Sequence, residues 1–491
     1  MNKTSTPMNN KISFLYSIIL VFFLSCSGYR SDGASMEYEQ TARELSRLIE
    51  EKLNTGLFKD VNVGIHISSV DGKHTLYSRD DRSKYITASV FKIIPSAIAL
   101  IKLGVDHRFE TPIMTDSEIK NGTLEGNLYL AGKGDPSLMI PDLEKAAQDL
   151  RSKGLKDVKG DIVYDISFLD EEKNRFSPNA RNLYAPPCAL NVNYNWLEVG
   201  IKDGTPVKLW LSPKTSYAKL TYAVKISKSA SPGRPAMTYQ MYEWGDHFTI
   251  KGTITAWDRQ FDYVHLGASR PGLYAATLFY EICQKAGIRI KGRIKKGHVP
   301  KKAQTLYIMK GTVLKQSVQD MNQRSNNVIA EVLNKDLGAR FQSTPGTREK
   351  GIAVLKDFCM KKIGLEKNNF SIGDASGLSV NNQFSPKDIA RALNYFYRDP
   401  EIRKAFLPTL ARQGHHPHAM NPVPPDDMVI LVKTGTLSVR GVNTVAGFII
   451  REKTKDVFSF AILANRKSPG PMTYSGTLTN PLLTIIVDVM K

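Results

Sequence analysis

The stretch "ITASVFKIIPSAIAL", Ile86 to Leu100, reads as the opening of a buried helix. Thr87 is placed to cap it, and Val90, Phe91, Ile93, Ile94, Ala97, Ile98 and Leu100 leave little polar face. Lys92 interrupts that apolar run three residues after Ser89, and positions i and i+3 of a helix share a face. A buried ammonium is costly unless it is paired or gives up its proton. A lysine held in such a place has a depressed pKa and can accept the proton of a neighbouring serine hydroxyl. The competing reading is a lysine that snorkels to the surface. Spacing alone does not choose, because Ser-x-x-Lys recurs at Ser117–Lys120 in a polar turn and at Ser216–Lys219 in a strand-like run.

Two further motifs do choose. "MNQRSNNVIAEVL" carries Ser325-Asn326-Asn327 at the start of another apolar helix, and "VILVKTGTL" carries Lys433-Thr434-Gly435-Thr436 on a strand-like run. Ser-x-Asn occurs again at Ser379–Asn381, but Lys-Thr-Gly occurs once. Ser-x-x-Lys, Ser-x-Asn and Lys-Thr-Gly in that order mark penicillin-recognising serine enzymes. The chemistry assigns each part. Ser89 is the expected nucleophile on a peptide carbonyl and Lys92 its general base. Ser325 is the expected proton relay to the leaving amine, and Asn327 the group that orients Lys92 and the substrate amide. Lys433 adds a positive charge that disfavours protonation of Lys92 and attracts a carboxylate. The Lys433–Thr436 run can pair with an extended peptide, Thr434 and Thr436 suit a terminal carboxylate, and Gly435 lets substrate come close. The backbone N–H groups of Ser89 and Thr436 are the expected oxyanion donors.

With these motifs the chain resembles the class C low-molecular-mass penicillin-binding proteins, serine-type D-alanyl-D-alanine carboxypeptidases and endopeptidases. "GTLEGNLYLAGKGDPSL" (122–138), "YAPPCALNVNYN" (184–195) and "GDASGLSVNNQFSP" (373–386) are family-like as well, so the similarity spans nearly all of the mature chain. The long gap between Ser89 and Ser325 fits the family's inserted domains. Two departures stand out: SNN replaces the common SDN, and "RFSPNARNL" (175–183) stands where relatives carry a Trp- and Asp-containing segment thought to approach the substrate's diamino-acid side chain. The resemblance implies a β-lactamase/transpeptidase-like α/β (α+β) domain of antiparallel sheet flanked by helices, with mixed α/β insertions between the first and second motifs. It implies cleavage of D-Ala-D-Ala termini or D-Ala–diamino-acid crosslinks of peptidoglycan stem peptides, acylation by β-lactams, and no cofactor. The alternatives are a β-lactamase-like hydrolase and a non-catalytic wall-binding protein.

Texture along the chain suggests where the insertion lies. A helix-like "MEYEQTARELSRLIEEKL" and a hairpin around Asp71-Gly72 precede the serine motif; two apolar strands and a final helix from Thr479 close the chain, so both ends are expected in one domain. Residues 36–108 and 270–491 are expected to form the catalytic domain, and 109–269, rich in short strands broken by Gly, Pro and Asn, two nested smaller domains.

The 491 residues carry 67 Lys+Arg against 47 Asp+Glu, a net charge of +20, which suits an anionic wall or membrane surface. No basic arm, RNA-binding signature or zinc-finger spacing points to nucleic acid. Lys3 and Lys11, the apolar run 12–24 and "SCSG" form an export signal over residues 1–27. The expected location is the periplasm of a Gram-negative bacterium, either free or lipid-anchored through Cys26. Cys188, Cys283 and Cys359 are isolated and read as structural. There is no GxSxG, P-loop or HExxH, and the loop histidines His415, His416 and His418 lack an acidic partner, so no metal is expected.

Overall fold

The hairpin forms around Asp71-Gly72, between strands Val61–Ser69 and Thr75–Arg79, with Gly72 at φ 78° in the left-handed region that glycine tolerates. The computed structural model describes residues 36–491 apart from 173–184, 203–207, 228–235, 256–262, 418, 469 and 471–477. The export signal, Cys26 and all of "RFSPNARNL" therefore lie outside the described residues.

The hairpin is one end of a six-stranded antiparallel sheet. Its order is Thr75–Arg79, Val61–Ser69, Val457–Arg466, Val442–Arg451, Met428–Leu437 and Ala411–Arg412, which joins the two ends of the chain as expected. One face buries Val63, Ile65, Ile67, Val445, Ile449, Phe460 and Ile462 beneath Leu45 and Ile49 of the helix 36–53 and Leu482, Leu483 and Ile486 of the helix Thr479–Val489. The other face buries Ala446, Phe448 and Ala461 against Phe91, Ile94 and Ile98 and against Ile389, Leu393 and Phe396 of the helix Pro386–Arg398. Alternate residues of the central strands thus enter opposite cores, which is why those strands read as unbroken apolar runs. Each valine, leucine, isoleucine or phenylalanine among them contributes about 1.5–3 kcal/mol on removal from water.

The stretch that opens the sequence argument is a 3-10 turn, Ala88–Lys92, running into an α-helix, Ile93–Leu103. Thr87 is not a cap: its backbone is already helical and its side chain makes no capping bond. Instead its Oγ1 donates to the Asn382 carbonyl at 3.2 Å and its own carbonyl accepts from Thr444 Oγ1 at 2.8 Å. Behind it runs Asn327–Phe341, a helix buried from Asn327 through Ala339 that nonetheless carries Glu331, Lys335 and Asp336.

The insertion contains a five-stranded sheet in the order Ile294–Lys296, Ile162–Asp165, Leu128–Ala131, Arg108–Thr115, Gln304–Val313. It also holds two three-stranded sheets within 196–267, and small strands at 119–120, 123–124, 157–158 and 289–290 that pair with one another. The division expected at 269/270 does not follow the hydrogen bonding. Strands Ile294–Lys296 and Gln304–Val313 pair with Ile162–Asp165 and Arg108–Thr115, and the helix Pro271–Lys285 buries Tyr274, Ala275 and Phe279 in the same core as Ile113, Leu130 and Ile162. The helical periodicity from 271 onward belongs to the insertion, which runs to Val313. The chain leaves and re-enters at one point, where Leu314 N donates to the His107 carbonyl at 2.7 Å.

Candidate active site

The 3-10 turn brings Ser89 and Lys92 together, with Ser89 Oγ 3.1 Å from Lys92 Nζ. Lys92 is wholly buried, so it does not snorkel. It donates to Asn327 Oδ1 at 2.7 Å and to the Ser376 carbonyl. A neutral amine has two N–H donors and one lone pair. Asn327 and Ser376 take the two donors, and the lone pair is left for the Ser89 hydroxyl. Burial pushes the Lys92 pKa down to about 7, while the carboxylates of Asp374 and Glu331 pull the other way.

The second motif occupies the turn between helices Leu314–Gln323 and Asn327–Phe341. Asn326, not Ser325, is the N-cap, its side chain accepting from Ile329 N at 3.1 Å. Ser325 is held at φ 54° and Ala88, beside the nucleophile, at φ 46°. Left-handed non-glycine residues cost on the order of 1–3 kcal/mol and persist where packing over-determines them. Lys433 Nζ donates to Ser325 Oγ at 3.1 Å and to the Thr434 carbonyl at 3.0 Å. Burial and the charge of Lys92 hold Lys433 well below its ordinary pKa. Two buried lysines facing one cleft resist being charged together.

Lys433, Thr434, Gly435 and Thr436 lie on the strand Met428–Leu437, beyond the two residues, Leu431 and Val432, that pair with Ala411–Arg412. From Lys433 on, among the described residues, that edge has no neighbouring strand and borders a cavity of about 1050 Å³. Ser89, Ser325, Asn327, Lys433, Thr434 and Thr436 line it, together with Tyr194, Trp196, Glu198 and His265 of the insertion. Gly435 departs from expectation. A Cβ there would stand 2.4 Å from Thr444 Oγ1, 2.8 Å from Ser89 N and 2.9 Å from the Thr87 carbonyl. The missing side chain makes room for the nucleophile turn rather than for substrate.

Several residues escaped the sequence argument. "GDASGLSVNNQFSP" folds around Asp374, whose carboxylate accepts from Gly377 N at 2.8 Å, Ser379 N at 2.7 Å and Asn382 Nδ2 at 2.6 Å. Ser379–Asn381, the spare Ser-x-Asn, is part of this loop, and Leu378 reaches the cleft. Gly377, at φ +85°, packs so closely that a Cβ would be 2.2 Å from the Ala88 carbonyl. Glu331 accepts from Ala375 N at 3.1 Å and Ser376 N at 2.9 Å. Its signal was legible: a carboxylate on an apolar helix, four residues after Asn327, invites the question that singled out Lys92. The other two Ser-x-x-Lys pairs stand apart from this site. Among the described residues no group of three or more His, Cys, Asp or Glu could hold a metal, and Cys188, Cys283 and Cys359 are free thiols buried in the cores.

A serine hydroxyl turned toward a buried lysine, with no histidine between them, separates this site from Ser-His-Asp hydrolases and places it among penicillin-recognising serine enzymes. The chain belongs to the D-Ala-D-Ala carboxypeptidase 3 (S13) family, whose model matches residues 45–473. It is 24% identical over 434 residues to the D-alanyl-D-alanine carboxypeptidase DacB of Haemophilus influenzae, covering 86% of this chain and 89% of that one. It is 25% identical over 478 residues to a D-alanyl-D-alanine carboxypeptidase of an Actinomadura species, covering 91% and 85%. The crystal structure of penicillin-binding protein 4 from Haemophilus influenzae shares the fold, with a TM-score of 0.75 at 23% identity over 91% of this chain and 98% of that one.

Proposed function

We infer that the protein is an exported serine DD-peptidase of peptidoglycan. The observation that carries this is the pairing of Ser89 with Lys92 and Asn327 opposite Ser325 and Lys433 on the walls of one cleft. Ser89 Oγ attacks the carbonyl of the penultimate D-alanine while its proton passes to Lys92 Nζ, and the backbone N–H groups of Ser89 and Thr436 receive the oxyanion. The C–N bond then breaks as Ser325 hands a proton to the leaving amine, leaving an acyl-enzyme on Ser89 that water hydrolyses. Lys433, Thr434 and Thr436 hold the carboxylate of the departing residue. A terminal D-alanine leaves in the carboxypeptidase reaction and a diamino acid in the endopeptidase reaction. A β-lactam presents its strained amide to the same serine. Residues 1–27 act as the export signal, the catalytic body is built from 36–108 and from 314 onward, and the basic surface meets the anionic wall or membrane. Trypsin digestion after labelling with a fluorescent penicillin is expected to place the adduct on the peptide containing Ser89. Label that persists in Ser89→Ala would sink the assignment.

A further inference from the structure

Lys92 rests on a carbonyl, and that carbonyl is itself held. Ser376 O takes one Lys92 N–H; the peptide unit that carries it has its own N–H, that of Gly377, on Asp374 Oδ1 at 2.8 Å, and the two preceding units have theirs, those of Ala375 and Ser376, on Glu331 Oε1. The other oxygen, Glu331 Oε2, lies 3.4 Å from Arg348 Nε. Arg348 reaches on to Glu172 at 2.5 Å, and Lys335, fully buried, meets Glu172 at 3.1 Å and Asp170 at 2.8 Å. Asp170 and Glu172 belong to the insertion, whose backbone is fastened here by Asp170 N to the Gly346 carbonyl at 3.0 Å and Gly346 N to the Phe168 carbonyl at 2.9 Å. A chain of paired charges thus runs from the insertion to Glu331, and through the backbone of the Asp374 loop to the base.

We propose that Glu331 is a positioning residue that fixes the two peptide units leading to the Ser376 carbonyl and supplies negative charge beside Lys92, with Arg348 holding Glu331 and Glu172 of the insertion holding Arg348. This rests on the reading of Ser89 and Lys92 as nucleophile and base. The charged groups facing Lys92 are Glu331 from the helix Asn327–Phe341, Asp374 from the loop and Lys433 from the strand. Those facing Glu331 are Asp374, Arg348 and Glu172. Burial alone would strip Lys92 of its proton over most of the pH range, at the cost of basicity; the carboxylates restore basicity, and Glu331 does so while fixed by two backbone donors. Burial and the neighbouring Asp374 push the Glu331 pKa up, and the Arg348 guanidinium opposes that shift, favouring the ionised carboxylate.

The test is the pH profile of the second-order rate constant for acylation by a penicillin, measured on the full chain and normalised to the fraction that forms an adduct. Glu331→Gln keeps an acceptor for the two N–H groups but removes the charge. Lys92 then loses a stabilising partner for its ammonium, so the acid limb of the profile is expected to move down by about 1 pH unit. Its plateau should stay within about threefold of wild type, since the carbonyl is still placed. Arg348→Met, which leaves Glu331 to bind a proton, should move the limb the same way, and the double variant should move it no further. Glu331→Ala removes the acceptor as well, and its plateau should fall by about tenfold. A limb in Glu331→Gln that coincides with wild type, even alongside a lowered Tm, overturns the proposal; the glutamine variant decides this without the alanine one. If wild type itself forms no adduct on Ser89, it is the functional reading that fails, so the two failures are distinct.

Discussion

At the scale of single residues the site is a contest over one proton. Lys92 can serve Ser89 only while neutral, and burial holds its pKa to about 7. Because the folded pKa lies below the ordinary lysine value, the proton is lost on folding at pH values where a free lysine keeps it. The active form therefore accumulates as pH rises through about 7 and vanishes below it. The expected outcome is an acylation rate that falls about tenfold per pH unit on the acid side, read by stopped-flow mixing with a chromogenic cephalosporin. A flat profile between about pH 5 and pH 8 would remove Lys92 from the role of base. Asn327→Ala deprives a Lys92 N–H of its 2.7 Å partner and should slow acylation by roughly 10–100-fold, with a lowered Tm that reflects about 1–3 kcal/mol of lost stability because the bond is buried. Lys92 itself was legible in the sequence because a charge among apolar residues is conspicuous on any helix. Ser376 was not, because it contributes a backbone carbonyl, and every residue has one.

At the scale of elements, the reactive geometry comes from how closely a strand meets a turn. Gly435 lets the strand Met428–Leu437 press against Ser89 N, and Thr444 on the next strand ties the Thr87 carbonyl at 2.8 Å. Gly435→Ala would force the turn away by several tenths of an ångström, and small displacements of reacting groups cost heavily. The expected result is at least a 10²-fold loss of acylation while the circular dichroism spectrum survives, since the crowding is confined to the contact between the strand end and the turn. Retention of full acylation by that variant would show that the Ser89 N–H does not need its present position. The strands and helices were legible here because apolar runs of Met428–Leu437, Val442–Arg451 and Val457–Arg466 have no other place to go than a sheet covered on both faces. The 3-10 turn was not. Its shape is imposed by Gly377, Gly435 and Thr444, which are 288, 346 and 355 residues further along the chain than Ser89, and helical periodicity carries no trace of them.

At the scale of the whole molecule, sequence texture placed the return to the catalytic body about forty residues early. A helix looks alike on either side of a domain boundary, and Pro271–Lys285 shows the same periodicity whichever core it serves. Pairing decides instead, and it assigns everything through Val313 to the insertion. This has a consequence for dissection. Cutting out 109–269 would leave Gln304–Val313 and Ile294–Lys296 with unpaired backbone edges, and such edges aggregate. Cutting out 109–312 and joining the ends with a short Gly-Ser link follows the gap already closed by Leu314 N and the His107 carbonyl. The shorter excision is expected to give insoluble protein and the longer one a soluble chain that still takes up penicillin. The longer excision still carries a penalty. It exposes Val328 and Val332, now buried against the insertion, and deprives Lys335 and Arg348 of Asp170 and Glu172. Removing one side of a buried ion pair costs about 3–5 kcal/mol. Calorimetry should therefore show a Tm well below that of the full chain, and adding Lys335→Met to the excised chain should recover part of the difference by removing an uncompensated buried charge. Recovery in the excised chain but destabilisation by the same substitution in the full chain is the pattern expected if the insertion's acids are what make Lys335 tolerable.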